Sequence, residues 1–437
     1  MGTSLAFHIV FAVIGMGLPL LLVIVEGLAL RTGNDDYRRL AKMWSKALAI
    51  TFGVGAVSGT VLSFELGLLW PEFMRYAGPI IGIPFSAEGF AFFIEAIFLG
   101  LYLYGWDRLS PLQHWLCSIP IAVSGLLSSV FVVCANAWMN TPTGFRMENG
   151  RPVDVQPFVA MFSPAWKTET IHTALGSYVF VGFAVASIYA LAYLRGTRNS
   201  YMLRAMRVSL LMGAVAIPLQ LVAGDAAARF DAENEPVKLA SLESQFKTQP
   251  WAPLRIGGIP NDRTHHVTGA IEIPGMLSFL AFGSPSASVR GLDSWPARDK
   301  PDTLPVHLSF QAMVGSGSAL LGLGAWFAVW AWRTRRRVTV APPAILLRAI
   351  TFGAPLALVA IEAGWMVTES GRQPWIVHGI MRTRDAVTTA PALDLAFYGF
   401  SFIYAMLGAA TWWLLLRLGR MPEHHEERDD EGRLVVA

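Results

Sequence analysis

Nine stretches of this chain stay apolar for twenty residues or more, at about 5–30, 45–70, 85–107, 113–138, 170–194, 203–224, 307–332, 344–368 and 392–417. A helix of roughly 20 apolar residues is long enough to cross the hydrocarbon of a bilayer. In lipid every backbone N–H and C=O must find its partner within the protein, and runs of this length do that as helices. The pattern therefore predicts an all-α polytopic membrane protein with about nine transmembrane helices. Composition agrees, since 54% of the residues are hydrophobic and 15% charged, where soluble domains carry about 25% charged residues. The net charge of +3 is small and the basic residues sit in short loops, a pattern that predicts no nucleic-acid partner. Cys117 and Cys134 fall in one predicted helix, and at 1.5 Å rise per residue they stand roughly 25 Å apart, too far to bridge. The first run contains His8, lacks a basic leader and continues to Leu30, so it is read as a true span rather than a cleaved signal.

Basic residues in short loops orient such a protein. One set of loops holds fourteen: Arg31, Arg38, Arg39, Lys42 and Lys46; Arg108; Arg195, Arg198, Arg204 and Arg207; Arg333, Arg335, Arg336 and Arg337. The opposite short loops hold seven: Arg75, Arg146, Arg151, Lys167, Arg372, Arg382 and Arg384. The first set is expected in the cytoplasm, with the N-terminus outside and the C-terminus inside. This divides the chain into helices one to six (1–224), an external loop (225–305), helices seven to nine (306–418) and a charged cytoplasmic tail (419–437). The tail histidines His424 and His425 are read as part of a solvated segment. The external loop is too polar to span and too long to be a simple connection.

Ionisable groups within membrane helices are costly and by default functional. The run Ile361–Trp375, IEAGWMVTESGRQPW, ends a greasy helix with Glu369 and Arg372 after Trp365. His8, His172 and Met313 lie in the same outer half of the membrane on three other helices, and Glu88 and Glu95 on a fourth. Glu88 and Glu95 are seven residues apart, hence on one helix face, as a proton relay or cation site would require. Taken singly, each has a plainer reading: a helix-to-helix hydrogen bond for either His, core filling for Met313, an interfacial position for Glu88. Together they suggest metal ligation, because His and Met are axial ligands of an electron-transfer haem. There is no CxxCH, so such a haem is non-covalent. Gly315, Gly317, Gly322 and Gly324 near Met313 offer room for a flat macrocycle, or equally for close helix packing. No internal repeat is obvious, which weakens an inverted-repeat transporter reading.

These motifs resemble subunit I of a cytochrome bd-type quinol oxidase over nearly the whole length. GWMVTESGRQPW at 364–375 is the most specific piece. EGFAFFIE from Glu88, GLYLYGWDRL, ANAWMN at 135–140, the His172 segment, KLASLE at 238–243 with TQP at 248–250, and QAMVG around Met313 follow in the family's order. The resemblance implies three haems near the outer face: two haem b and one haem d, or a third haem b as in one branch of the family. It implies that His172 and Met313 ligate the low-spin haem b, Glu369 the high-spin haem b and His8 the oxygen-binding haem. It places Arg372 to neutralise Glu369 or haem propionates, and Trp365 to pack between macrocycles. Lys238 and Glu243, on spacing alone a surface pair, correspond to the family's quinol site, and Glu95 and Glu88 to the last proton carriers. It also implies a second membrane subunit (subunit II of the oxidase), small single-span subunits in some members, and a multi-pass place in the bacterial cytoplasmic membrane. No copper is expected. The chain departs from well-known members at Gln311, where some carry arginine, in its short external loop, and in beginning only seven residues before His8. The other readings are a proton- or ion-coupled transporter and a haem subunit that only passes electrons.

Overall fold

The structure is a computed structural model that describes residues 1–334, 340–391 and 393–420, with a short strand pair, Glu427–Arg428 and Leu434–Val435, in the tail. Arg335, Arg336 and Arg337, counted above for orientation, and His424 and His425 lie outside the described residues. In chain order the helices are α1 (Gly2–Thr32), α2 (Asp35–Leu69), α3 (Pro71–Tyr104), α4 (Pro111–Asn140), α5 (Pro157–Met161), α6 (Trp166–Leu194), α7 (Ser200–Asn234) and α8 (Pro236–Leu242). There follow α9 (Met276–Phe282), α10 (Thr303–Arg333), α11 (Ala344–Thr351), α12 (Gly353–Gly371), α13 (Thr383–Ala386) and α14 (Leu393–Arg420). Among the described residues nine helical segments are long and apolar enough to cross a membrane, α11 and α12 counting as one, in the expected order.

The helices outrun the apolar windows. α2 begins at Asp35 and α7 continues to Asn234, ten residues beyond the expected edge in each case. Hydropathy marks where lipid ends, but a helix ends where its terminal backbone groups find other partners. Asn34 caps α2 by accepting from the Asp36 N–H, and α7 closes where the Glu235 N–H donates to the Asp231 carbonyl at 2.9 Å. The extension of α7 matters, because it carries Asp231 up into the polar unit that follows.

The bundle core is built from α1, α2, α6, α7, α10 and α11, with Leu21, Leu22, Leu40, Leu48, Phe183 and Met206 fully buried. α14 is peripheral, and Phe397, Tyr398, Phe402, Trp412 and Trp413 on it are exposed.

The 225–305 region is a folded unit rather than an open loop. After α8, β3 (Leu254–Ile256) pairs with β6 (Ile271–Ile273), and β4 (Ile259–Asn261) with β5 (His266–Thr268), all antiparallel. Thr248 donates its hydroxyl to Asp293 at 2.7 Å, and that bond holds the Asp293 carboxyl below its ordinary pKa. α10 fastens the unit to the bundle. His307 reaches the Leu242 carbonyl at 2.7 Å and the Gly257 carbonyl at 3.2 Å. Gln311 accepts from the Gly257 N–H at 2.8 Å and donates to the Arg255 carbonyl at 2.9 Å. Two further connections lie at the same end, the second of them bonded to the unit. The first contains the hairpin of β1 (Arg146–Glu148) and β2 (Arg151–Val153), the second that of β7 (Trp375–Val377) and β8 (Met381–Arg382). Arg382 donates to the Arg298 carbonyl and pairs with Asp299, and the His378 N–H donates to the Met139 carbonyl.

Candidate functional site

The end of the bundle beneath this folded unit gathers most of the polar groups singled out in the sequence. His172 projects from α6 towards α7. Its Nε2 lies 3.1 Å from the Gln220 amide nitrogen, and its Nδ1 is buried without a protein partner. A Cβ on Gly224 would stand 3.4 Å from the imidazole, and one on Gly176 would stand 3.4 Å from Ile361 and 3.5 Å from Gln220. On α12, a Cβ on Gly364 would stand 3.0 Å from the Met313 sulfur. His172 packs against Gly224 of α7 and Met313 against Gly364 of α12, so the imidazole and the thioether both sit among α6, α7, α10 and α12. A Cβ at Gly315, Gly317 or Gly322 would meet nothing within 4 Å, and Gly324 packs on Ala214 of α7. The α10 glycines near Met313 thus face open space at Gly315, Gly317 and Gly322 and a packed helix at Gly324. An imidazole and a thioether brought among the same helices are the side-chain types that hold an electron-transfer haem.

Glu369 and Arg372 close α12 as an ion pair at 2.9 Å. The other Glu369 oxygen accepts from the Asn136 amide at 3.1 Å. Arg372, only 2% exposed, donates also to Asn140 at 2.9 Å, and Asn140 donates to Glu169 at 2.6 Å. The Glu369 side chain keeps 28% of its surface exposed. Each of its oxygens has a second lone pair, so the set fits a carboxylate ligand whose charge is balanced in place. Asn136, Asn140 and Glu169 were not assigned roles from the sequence. The available signal was spacing: the two asparagines of ANAWMN stand four apart on one helix face, and Glu169 precedes His172 by three. Trp365 is half-buried beside Gly364.

His8, on α1, lies apart from this network. Its Nδ1 is 2.8 Å from Ser58 Oγ, which donates its one hydrogen to the Gly55 carbonyl at 3.1 Å. Ser58 must then accept from Nδ1–H, which leaves Nε2 with its lone pair, as a metal-ligating imidazole requires. Gly59 clears space at its ring, where a Cβ would stand 3.1 Å from Cε1.

Glu88 and Glu95 both face α4, as their spacing implied. Ser128 donates to Glu88 at 3.3 Å. Glu95 is buried, and one of its oxygens has no protein partner. The other lies 3.3 Å from where a Cβ on Gly125 would be, and the Gly15 carbonyl lies 2.9 Å from the same point. Pro19 has no N–H to offer that carbonyl, so Gly15 is a free acceptor beside the carboxyl group.

Lys238 and Glu243 sit at the two ends of α8, both buried, yet they are not each other's partners. Lys238 pairs with Asp231 at 3.3 Å and Glu235 at 3.4 Å, and its stem lies against Gly371. Burial opposes its charge, but Asp231, Glu235 and Glu169 outweigh burial and hold its pKa above the ordinary value. One Glu243 oxygen has no partner, and burial pushes that carboxyl up to about 8 against the pull of Arg255. Asp231 and Glu235 were missed because the sixth-span helix was expected to stop at 224. Among the described residues no group of three or more His, Cys, Asp or Glu side chains is placed to hold a bare metal ion. The candidate ligands come singly from separate helices.

A nine-span bundle presenting single imidazole, thioether and carboxylate groups at one end, under a folded polar unit, is of the membrane-cytochrome class. Residues 1–422 match the family described as cytochrome bd terminal oxidase subunit I, and the chain belongs to that family. It is 37% identical over 419 residues to the putative cytochrome bd menaquinol oxidase subunit I of Bacillus subtilis, covering 95% of this chain and 94% of the relative. It is 28% identical over 486 residues to the cytochrome bd-II ubiquinol oxidase subunit 1 of Escherichia coli, covering 95% and 94%. The fold superposes on the structure of bd oxidase from Geobacillus thermodenitrificans with a TM-score of 0.91 and 37% identity, covering 97% of each chain. The chain is thus a subunit of a quinol:O2 oxidoreductase.

Proposed function

We propose that this chain carries the haems of a terminal oxidase that oxidises quinol at the outer face and takes the protons for oxygen reduction from the cytoplasm. The placing of His172 against Gly224 and of Met313 against Gly364, among the same helices beneath the folded external unit, is the observation that carries the reading. His172 and Met313 would hold the low-spin haem b, Glu369 the high-spin haem b, and His8 the oxygen-binding haem, d or a third b. When bound, the haems supply one-electron carriage from quinol and the iron at which oxygen is reduced. Arg372 balances the charge of Glu369, and Trp365 would pack against the haems. The partners are subunit II, small single-span subunits, quinol, oxygen and the bilayer of a bacterial cytoplasmic membrane. Fourteen basic residues in one set of short loops against seven in the other support the orientation.

Quinol binds under α8. Lys238, held cationic by Asp231 and Glu235, steadies the anion formed as quinol loses its first proton, and Glu243 accepts a proton. Those protons leave outside. Glu95 and Glu88 pass the protons used in making water, which come from the other side, so charge is separated by the placement of the two sites. The visible spectrum of the purified oxidase, with haem extraction and carbon monoxide addition, tests the reading. Low-spin and high-spin haem with a carbon monoxide shift is expected; a colourless protein would return the chain to the transporter reading.

Met313→Leu keeps side-chain volume, a swap that costs under about 1.5 kcal/mol in a packed interior. It should abolish the low-spin signature and leave the high-spin signals in place; an unaltered low-spin spectrum removes Met313 as a ligand. Glu243 accepts a proton only when ionised, which burial delays to pH about 8. Quinol oxidation should therefore climb with pH through that value. Glu243→Gln should be slower and lack this limb; if the limb persists, another group is the acceptor.

A further inference from the structure

The opposite half of the bundle holds a second buried cluster that none of the roles above uses. Glu26 of α1 is 4% exposed, Tyr102 of α3 0% and His114 of α4 3%. His114 Nδ1 lies 2.5 Å from one Glu26 oxygen, and Tyr102 donates its hydroxyl to the other at 2.6 Å. His114 Nε2 lies 2.8 Å from the Tyr102 carbonyl. The imidazole is flanked by the rings of Tyr102 at 4.2 Å and Trp106 at 4.0 Å.

The proton count of this cluster is informative. A carbonyl only accepts, so Nε2 carries a hydrogen. One further proton lies between Nδ1 and Glu26. Held on nitrogen, it makes an imidazolium–carboxylate pair; held on oxygen, an imidazole with a carboxylic acid. Both arrangements have the same net charge, and the proton crosses a single short bond between them. The Tyr102 hydroxyl touches the far oxygen of that carboxyl and is placed to receive a proton there while releasing its own.

Position gives the cluster a direction. Tyr102, Glu95 and Glu88 follow at intervals of seven on α3, and so share one face at steps of about 10.5 Å. α4 presents His114, Ser118, Gly125 and Ser128 along the matching face, with Gly125 beside Glu95 and Ser128 bonded to Glu88. Ser118 and Ser124, buried on α4 between His114 and Gly125, donate their hydroxyls to the Trp115 and Pro120 carbonyls. His114 stands in the first turn of α4, next to the short connection carrying Arg108, and Lys42 lies over the Trp106 ring at 5.4 Å. Lys42 and Arg108 belong to the loops assigned to the cytoplasm.

A purely structural role explains less. The crossing of α1 and α4 is already held by Trp115, which donates to the Val23 carbonyl at 3.0 Å beside Gly27. Burying an acid–base pair costs desolvation that apolar side chains avoid, so packing alone does not call for it.

We propose that Glu26, His114 and Tyr102 form a proton-loading station that takes protons from the cytoplasmic side and supplies them, past Ser118 and Ser124 and through bound water, to Glu95. The proposal rests on the oxidase reading and orientation given above. Each turnover draws four protons through it per oxygen reduced to two waters, and its own groups return to their starting state. The test uses the whole oxidase, with its partner subunit, in proteoliposomes. Glu26→Gln removes the carboxylate, and Tyr102→Phe removes only a hydroxyl while keeping the ring against Trp106. Both should retain the haem spectrum and the anaerobic reduction of haem by quinol. Both should lose about 10²-fold in oxygen consumption, the scale of a positioned proton-transfer group, and show an enlarged solvent deuterium isotope effect. Parent turnover with the parent isotope effect in both variants overturns the proposal, as does a fall in turnover that merely follows haem loss. If Glu26→Gln fails to assemble, Tyr102→Phe decides alone. Absence of quinol oxidation in the parent protein would instead overturn the oxidase reading itself.

Discussion

Glu95→Gln should leave haem reducible by quinol and stop the enzyme from consuming oxygen, with turnover falling by about 10²-fold or more. Glutamine keeps the size of the side chain and removes the exchangeable carboxyl proton. The site is built for a single acid group: one oxygen without a protein partner, the other beside the Gly15 carbonyl that Pro19 leaves free, and Gly125 keeping the space open. Electron delivery from quinol, as proposed above, runs through the groups held by His172, Met313 and Glu369 and does not need a proton from Glu95. The measurement is stopped-flow haem reduction under nitrogen set against oxygen consumption in air. Normal oxygen consumption in the variant removes Glu95 from the proton path.

The second large effect is expected at Arg372. Arg372→Ala deprives Glu369 of its counter-charge and Asn140 of a donor in a region where Arg372 itself is 2% exposed. Breaking a buried ion pair by removing one partner costs about 3–5 kcal/mol. The partial exposure of Glu369 lets water take up part of that cost, so the lower end, about 3 kcal/mol, is expected. The melting temperature should fall, and the high-spin haem signal should weaken while the low-spin signal persists. Arg372→Lys keeps the charge but cannot reach Glu369 and Asn140 together from a planar fork, so an intermediate result is expected. If Arg372→Ala leaves melting and spectrum unchanged, the guanidinium does not hold Glu369 in place.

The sequence was most informative where a local property decided the outcome. Nine apolar windows predicted nine spans, and the structure contains them in order. The seven-residue interval of Glu88 and Glu95 put both on one face, and both meet α4. It was least informative outside the lipid. The strands of the 225–305 unit are three residues long, too short to show an alternating pattern, and they are held by side chains of α10 such as Gln311 and His307. Gln311, noted as a departure from some relatives, is occupied in fastening that unit.

What the sequence by itself determined was the membrane class, the span order and the type of side chain that each helix brings to the site. Those follow from hydropathy and helical period, which are read within a single segment. Only the tertiary structure decided which residues meet. It paired Lys238 with Asp231 and Glu235, and it set Gly224 against His172 and Gly364 against Met313. It joined Glu26 to His114 across 88 residues of chain. Such meetings depend on how far each helix is rotated and how closely it crosses its neighbour. Those quantities are set by packing across the whole bundle, and no single window of sequence contains them.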